Sequence, residues 1–222
     1  MRAGSTAGEM GSRSRRTGRD RESVMSRKFT PFEIGERFRI SPPGAPASDD
    51  GRIDLVMAAG AFGSGEHETT ASCLELLATL PDLAGARVLD LGSGTGILAI
   101  AALKLGARSA LCLDIDPVAV RTCELNCQLN GVLAQVEHAC GTLDQVPEDP
   151  FELILANIYG DILVAVAEAL VARVGPGGAL LLSGILHQDN FDVRGRYQEL
   201  GCSVLSNRML EEFTTLLLRG GG

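Results

Sequence analysis

The sequence predicts an α/β fold in which a seven-stranded, mostly parallel sheet carries helices on both faces. Apolar strand-like runs alternate with helical patterns from residue 86 to residue 200. The runs are almost continuously apolar, which is typical of parallel strands buried on both sides. The last two runs are joined by SNRMLEEF without an intervening helix. The last strand should therefore be antiparallel to its neighbour.

The elements follow one another in a regular order. Two segments, FEIGERFRIS and RIDLV, lie on either side of a Pro-Pro-Gly breaker and predict a β-hairpin ahead of the sheet. A helix should follow from about Thr69, with Thr69 or Thr70 as its N-cap. The sheet strands are predicted at 86–91, 109–115, 134–139, 151–157, 178–185, 202–208 and 213–219. The other helices are predicted at 96–105, 117–130, 161–174 and 189–200, with a less regular stretch after Leu143.

The composition describes one globular domain. The chain has 222 residues, of which 45% are hydrophobic and 22% charged. It contains no apolar run near the roughly 20 residues that cross a bilayer, and no apolar segment of a secretory signal. The six cysteines are scattered and fall mostly in apolar patterns, so we expect reduced core residues. These features favour a cytoplasmic protein without a membrane partner.

Charge is distributed unevenly between the N-terminal segment and the rest. Residues 1–28 contain eight of the 20 basic side chains and three of the 28 acidic ones, with little to bury. This composition predicts a disordered basic tail at 1–28 and a folded domain at 29–222. A basic arm can bind nucleic acid, but the acidic remainder argues against a nucleic-acid face on the folded part.

The segment RVLDLGSGTGILAIA predicts a strand, a glycine turn and a helix. Gly92, Gly94 and Gly96 permit backbone torsions and close approaches that a Cβ would prevent. The helix that follows offers unpaired N–H groups at its N-terminus. Such a turn serves nicotinamide and flavin cofactors as well as other adenosine-containing ones, so it does not identify the cofactor by itself.

An acidic residue ends the next strand, and it narrows the choice of cofactor. Asp114 lies 22 residues after Gly92, where a carboxylate can accept both hydroxyls of an adenosine ribose. NAD and S-adenosylmethionine share that ribose. Three features favour S-adenosylmethionine: Asp90 places a carboxylate near its ammonium, the closing strands are antiparallel, and Asn157 projects from the ligand-binding edge of the sheet.

Together the motifs resemble one family of enzymes. GAFGSGEHETTASCLELL, LDLGSGTGILAIAALKLGA, DIDPVAV, NCQLNG, LILANIYGDIL and LLLSGIL are similar to the PrmA family, and the resemblance covers Pro31 to Arg219. These enzymes are class I S-adenosylmethionine-dependent methyltransferases that methylate amino groups of a large-subunit ribosomal protein. The resemblance implies a Rossmann-like methyltransferase fold, S-adenosylmethionine as cofactor, and a protein substrate with a target lysine or N-terminal amine, such as a ribosomal protein.

The resemblance also implies a set of cofactor-binding residues. In this family the first glycine-rich loop, residues 60–70, covers the cofactor while the second glycine turn supports it. Phe62 and His67 belong to the covering loop, and Phe62 would shield the methyl donor from water. The positions that correspond to cofactor contacts are Thr70, Gly92, Asp114 and Asn157.

The segment NIYG at the end of the fourth strand is the expected acceptor site. Asn157 and the backbone carbonyl of Ile158 can accept hydrogen bonds from an amine and aim its lone pair at the methyl group. The ring of Tyr159 can pack against the acceptor amine through a cation–π contact. His67 is either a general base or a brace for the loop. The histidines lack the spacing of metal ligands, so the sequence predicts no metal.

One departure from the family leaves the substrate open. Its members usually carry an N-terminal domain that grips the substrate protein, whereas only a short segment precedes Pro31 in this chain. We therefore expect an S-adenosylmethionine-dependent N-methyltransferase acting on a protein lysine or N-terminal amine, with a small-molecule amine as the alternative acceptor. An NAD-dependent oxidoreductase and a non-catalytic cofactor-binding subunit are the alternatives from other classes.

Overall fold

The computed structural model describes residues 29–58, 67–81, 83–146 and 149–221. These residues form a three-stranded sheet and a seven-stranded sheet with helices around them. The predicted tail at 1–28 and the predicted lid residue Phe62 lie outside the described residues. Within the described part of the chain, no helix is both long and apolar enough to cross a membrane.

The small sheet differs from the predicted hairpin. It consists of β1 (Phe32–Ile34), β2 (Phe38–Ser41) and β3 (Ile53–Val56). β1 and β2 pair antiparallel, whereas β2 and β3 pair parallel. The predicted pairing between the two segments as a hairpin is therefore wrong. The reason is Gly35, whose φ of +54° turns the chain inside what looked like one strand.

The large sheet has the predicted seven strands. Their order is β6-β5-β4-β7-β8-β10-β9. The strands are β4 (Arg87–Leu91), β5 (Ser109–Asp114), β6 (Val136–Cys140), β7 (Phe151–Asn157), β8 (Val174–Leu186), β9 (Ser203–Met209) and β10 (Phe213–Arg219). The strands β6, β5, β4, β7 and β8 run parallel to one another, and β10 is antiparallel to both β8 and β9. The predicted antiparallel last strand is confirmed.

Six α-helices and three short 3₁₀ turns connect the described strands. The helices are α1 (Glu68–Leu77), α2 (Ile97–Lys104), α3 (Pro117–Leu129), α4 (Gly160–Ala165), α5 (Ala167–Val171) and α6 (Asn190–Glu199). The 3₁₀ turns are Leu133–Gln135, Leu143–Gln145 and His187–Asp189. The single helix predicted at 161–174 is two helices, because Val166 leaves helical geometry with φ −96° and ψ 2°.

The core lies on both faces of the large sheet, as the sequence predicts. Along β7, Leu153 and Leu155 pack with α1, α2, α3 and the small sheet, whereas Ile154 and Ala156 pack with α4, α5 and α6. Successive strand residues face opposite sides, so both sets have to be apolar. α2 is buried at every position from Ile97 to Leu103. All six cysteines are free, and only Cys140 is exposed.

The order in which strands are added to the sheet switches sides at β4. β4 lies between β5 and β7, so the connection to β5 leads towards one edge of the sheet and β7 begins the other half. In open α/β sheets this arrangement opens a crevice at the carboxyl ends of the strands. The glycine turn after β4, Asp114 at the end of β5 and Asn157 at the end of β7 all lie at this crevice.

Candidate active site

A cavity of about 500 Å³ opens at the carboxyl ends of β4, β5 and β7. The structure brings together in its lining most of the site residues predicted from the sequence. Those that line it are Thr70, Asp90, Gly92, Gly94, Asp114, Asn157, Ile158 and Tyr159, joined by His67 and Thr69. Gly96 does not line the cavity. It supports the wall from behind, against α3.

The glycine turn is held in place by close packing. Gly92, Gly94 and Gly96 have φ values of +69°, +54° and +76°. A Cβ on Gly92 would lie 2.4 Å from Cγ2 of Ile158, and a Cβ on Gly96 would lie 2.4 Å from Sγ of Cys123. Both positions therefore need glycine for two reasons, the left-handed backbone and the absence of space.

Asp114 links the end of β5 to the glycine turn. Its Oδ2 accepts a hydrogen bond from the backbone N–H of Gly94 at 2.8 Å, and its Oδ1 accepts one from Asp116 N–H at 2.9 Å. Each carboxylate oxygen has a second lone pair. The half-buried carboxylate can thus bind two further hydroxyl donors from the cavity without losing the bonds that orient it.

Asp90 is a buried carboxyl group in the cavity wall. It is 2% exposed, and its Oδ2 accepts a hydrogen bond from Ala99 N–H at 3.1 Å. The pKa of Asp90 is raised to about 7: burial raises it most, the hydrogen bond from Ala99 N–H lowers it, and the negative charge of Asp114 raises it. A cation bound beside Asp90 would favour the ionised form and bring this pKa down.

Asn157 is oriented by the start of α1. Its Nδ2 donates to Oγ1 of Thr69 at 3.2 Å and to Oγ1 of Thr70 at 3.4 Å. In the planar amide, Oδ1 lies on the other side and remains as an acceptor for a donor in the cavity. Both threonines are buried, so this orientation is fixed by the fold rather than by solvent. Thr69 is a site residue that the sequence analysis named only as a helix cap.

His67 caps α1 and braces Thr69. Its Nδ1 lies 2.9 Å from Oγ1 of Thr69 and accepts from Thr69 N–H at 3.4 Å, so His67 rather than Thr69 or Thr70 is the N-cap. The His67 ring also packs edge-on against Phe213, with 5.3 Å between ring centroids. These contacts support the role of His67 as a brace for the loop rather than as a general base.

Glu68 is a second anchor of α1, which the sequence analysis missed. Its carboxylate accepts hydrogen bonds from the backbone N–H groups of Glu211, Glu212 and Phe213, at 2.9, 3.1 and 3.3 Å. Partial burial raises the pKa of Glu68, but these three donors outweigh it and hold the pKa below its usual value. An acidic residue in a first helical turn is too common a pattern to reveal a contact so distant in sequence.

The acceptor end of the cavity is formed by the residues after Asn157. Ile158 N–H donates to Ser183 O at 3.1 Å. A Cβ on Gly184 would lie 2.7 Å from Ile158 O, so the carbonyl closely approaches a glycine with φ +80°. Tyr159 stands at the rim with 68% of its surface exposed. The rim is thus open beside a backbone carbonyl and an aromatic ring.

The strand order, the glycine turn after the central strand, the acidic end of the next strand and the antiparallel last strand define the class I S-adenosylmethionine-dependent methyltransferase fold. The chain belongs to the PrmA family, whose model, described as ribosomal protein L11 methyltransferase, matches residues 10–219. The resemblance seen in the sequence is confirmed. The match begins inside the segment predicted as a tail.

Two curated relatives show how similar the chain is to this family. The ribosomal protein L11 methyltransferase of Trichlorobacter lovleyi is 41% identical over 198 residues, which are 86% of this chain and 65% of that protein. The one from Geobacter sulfurreducens is 44% identical over 200 residues, 87% of this chain and 64% of that protein. The chain therefore spans less than two thirds of the length of these relatives.

Solved structures show the same fold. The ribosomal protein L11 methylase of Lactobacillus delbrueckii subsp. bulgaricus is 25% identical, with a TM-score of 0.78, and the match covers 88% of this chain and 100% of that one. An RNA methyltransferase from Salinibacter ruber, solved in complex with S-adenosyl-L-homocysteine, is 20% identical with a TM-score of 0.55. That match covers 68% of this chain and 91% of the other and shows likeness of fold alone.

Proposed function

We propose that the chain is an S-adenosylmethionine-dependent N-methyltransferase that acts on a protein lysine or N-terminal amine, with ribosomal protein L11 as the first candidate substrate. The observation that carries this proposal is a cavity that places Asp114, Asp90 and Asn157 around one opening. Membership of the PrmA family and the names of its curated relatives support the choice of acceptor.

The residues of the cavity fit S-adenosylmethionine. The remaining lone pairs of Asp114 match the two ribose hydroxyls, and the glycine turn leaves room for close approach. Asp90 supplies a buried carboxylate that is ready to pair with the ammonium of the methionine moiety. The same carboxylate argues against NAD, because it would face an anionic pyrophosphate at this turn.

The cofactor supplies a methyl group on a sulfonium whose departure as a neutral thioether needs no general acid. What the chain must do is align the acceptor amine, which reaches the cavity after losing its proton to solvent. Asn157 Oδ1 and Ile158 O accept the two N–H bonds of that amine, which leaves its lone pair directed into the cavity. Alignment of this kind accounts for most of the acceleration of a bimolecular transfer.

The rim suits a lysine side chain on a protein. Tyr159 offers an exposed ring to a cationic amine before it loses its proton. The acidic composition outside residues 1–28 favours approach of a basic target. We also propose a cytoplasmic location for this enzyme. The uneven charge distribution supports a division into a basic tail at 1–28 and a catalytic domain at 29–222.

Two measurements test the proposal. Calorimetric titration should show one S-adenosylmethionine site per chain and no NAD binding; NAD binding without S-adenosylmethionine binding would overturn the assignment. Incubation with methyl-labelled cofactor and ribosomal protein L11 should add label to that protein by mass spectrometry, with Asn157→Ala as the control for background. Transfer to free lysine or a polyamine but not to the protein would favour a small-molecule acceptor instead.

A further inference from the structure

A cluster of metal-ligating side chains lies behind the cofactor turn, outside the cavity. Cys123 and Cys127 are one helical turn apart on α3, and His138 is on β6. One ligand atom from each of the three lies within 4.8 Å of the other two. Both cysteines are completely buried, and His138 is half-buried. None of these residues has a part in the proposed methyl transfer.

A third cysteine faces the same space. Cys112 on β5 is the Cα partner of His138 on β6, and paired residues of neighbouring strands present their side chains to the same face of a sheet. Cys112 is 1% exposed and packs in the same core as Cys123 and Cys127. Cys112 therefore faces the same layer as the cluster of Cys123, Cys127 and His138, between α3 and two strands.

One atom of the cluster points to a ligand. Nε2 of His138 is buried and has no hydrogen-bond partner among the described residues. Buried polar nitrogens are normally paired, so an orphaned one on an imidazole ring that lies beside two thiols needs an explanation. In a tetrahedral zinc site, with Zn–S near 2.3 Å and Zn–N near 2.0–2.1 Å, ligand atoms are about 3.5–3.8 Å apart. The ligand atoms of Cys123, Cys127 and His138 reach that geometry by a contraction of about 1 Å. Cys112 lies outside that 4.8 Å group and joins it by rotation of its side chain about χ1.

We propose that Cys112, Cys123, Cys127 and His138 form a structural Zn²⁺ site. Three cysteines and one histidine are a usual donor set for closed structural zinc sites. Binding replaces three thiol protons, which pass to solvent, by three Zn–S bonds, and neutral His138 supplies the fourth ligand; nothing is oxidised or reduced. The sequence predicts no metal, because the four ligands come from three separate elements and show no recognisable spacing.

The site would act on the cofactor turn through α3. Sγ of Cys123 occupies the space that a Cβ on Gly96 would need. Asn126, between the two helical ligands, donates through Nδ2 to Thr95 O at 2.9 Å and accepts through Oδ1 from Ala58 N–H at 2.9 Å. A metal that ties α3 to β5 and β6 would therefore hold the glycine turn in position, so zinc should raise both thermal stability and cofactor affinity.

Cobalt substitution tests the site without any variant. The full-length chain, reduced and stripped with a chelator, is titrated with Co²⁺. One equivalent should produce the thiolate-to-cobalt charge-transfer bands and the intense visible bands of a tetrahedral sulfur site, and Zn²⁺ should abolish them. Weak octahedral bands, or no saturation near one equivalent, would overturn the proposal.

Variants then assign the ligands. Cys127→Ser should weaken Zn²⁺ binding, measured by competition with a chromophoric chelator, by at least a hundredfold. Cys202→Ser, which changes a buried cysteine of the core on the other face of the sheet, should leave it unchanged. Equal losses in both variants, or unchanged binding in Cys127→Ser, would contradict the assignment. If Cys127→Ser does not fold, the wild-type cobalt spectrum still decides.

Discussion

The two sides of the cavity are built differently. On the cofactor side, the crossover from β4 to β5 runs through α2, which is buried from Ile97 to Leu103, and through a turn with no room for a Cβ at two of its glycines. On the acceptor side, the crossover from β7 to β8 is broken at Val166 and leaves Tyr159 and Ile162 exposed, at 68% and 44%. The cavity is closely packed on the side where the cofactor would bind, and it is open on the side where a macromolecular acceptor would enter.

The largest effect should come from removing the space at the glycine turn. Gly92→Ala should abolish cofactor binding and lower the free energy of unfolding by about 2–4 kcal/mol, because a Cβ meets both a left-handed backbone and Ile158. Gly131→Ala is the matched control, with φ +72° and no atom within 4 Å of the added Cβ. Chemical denaturation should show a cost of only about 1–2 kcal/mol there. Equal costs would mean that packing at Gly92 is unimportant.

On the acceptor side, removal of the aligning amide should affect turnover and not cofactor binding. Asn157→Ala should lower kcat on the order of a hundredfold while the cofactor Kd stays within a few-fold, because alignment is lost but the cofactor wall is intact. Asn207→Ala, which removes another partly buried amide with a side-chain partner, is the control. A large rise in cofactor Kd for Asn157→Ala, with kcat unchanged, would reassign Asn157 to the cofactor side.

A smaller loss is expected from the ribose-binding carboxylate. Asp114→Ala should weaken cofactor affinity by about 1–3 kcal/mol, measured by calorimetry, because two charge-assisted hydrogen bonds are lost. Asp116→Ala provides the comparison, since Asp116 caps α3 through Val118 N–H and does not line the cavity. It should reduce stability and leave affinity unchanged. Similar losses of affinity in both variants would argue against a direct contact with Asp114.

The pH dependence of binding tests Asp90. Its folded pKa of about 7 lies above the unfolded value of 3.8, so the free protein should lose stability as pH rises from about 4 through 7. A bound ammonium favours the ionised form, so cofactor affinity should rise about five- to tenfold between pH 6 and 7.5. Asp90→Asn should flatten this profile. A wild-type affinity that falls over the same range would contradict the ammonium contact.

The smallest effect concerns the brace between the two sides. His67→Ala should lower the free energy of unfolding by about 1 kcal/mol through loss of the N-cap. His67→Asn should restore this stability in urea denaturation, because asparagine is a strong N-cap. If instead His67→Asn keeps full stability but loses activity as severely as Asn157→Ala, then His67 acts in the reaction as a base.

The cofactor side was predictable from the sequence because its signals are local. Apolar runs, three glycines and two aspartates place β4, α2 and β5 without reference to distant residues. The acceptor side was less predictable from the sequence. The segment from Asp161 to Val174 contains neither Gly nor Pro, so nothing in it indicates that the helix breaks at Val166. Contacts between segments distant in sequence, such as that of Glu68 with the turn before β10, could not be predicted from the sequence.

The same limit explains the remaining differences. Gly35 divides the first strand-like run into β1 and β2, and a glycine within such a run does not announce whether it is a bulge or a turn. The cluster of Cys123, Cys127 and His138, with Cys112 on the same face, depends on the register of β5 against β6 and on the face that α3 turns inward. Neither is visible in residue spacing.

The proposed function requires one ligand to lie across the cavity, and a crystal structure of the chain with S-adenosyl-L-homocysteine tests this directly. We predict that both ribose hydroxyls bind the Asp114 carboxylate, that the ammonium lies beside Asp90, and that the sulfur faces Asn157 and Ile158 O. A ligand bound elsewhere, or one whose ribose does not contact Asp114, would contradict the central claim.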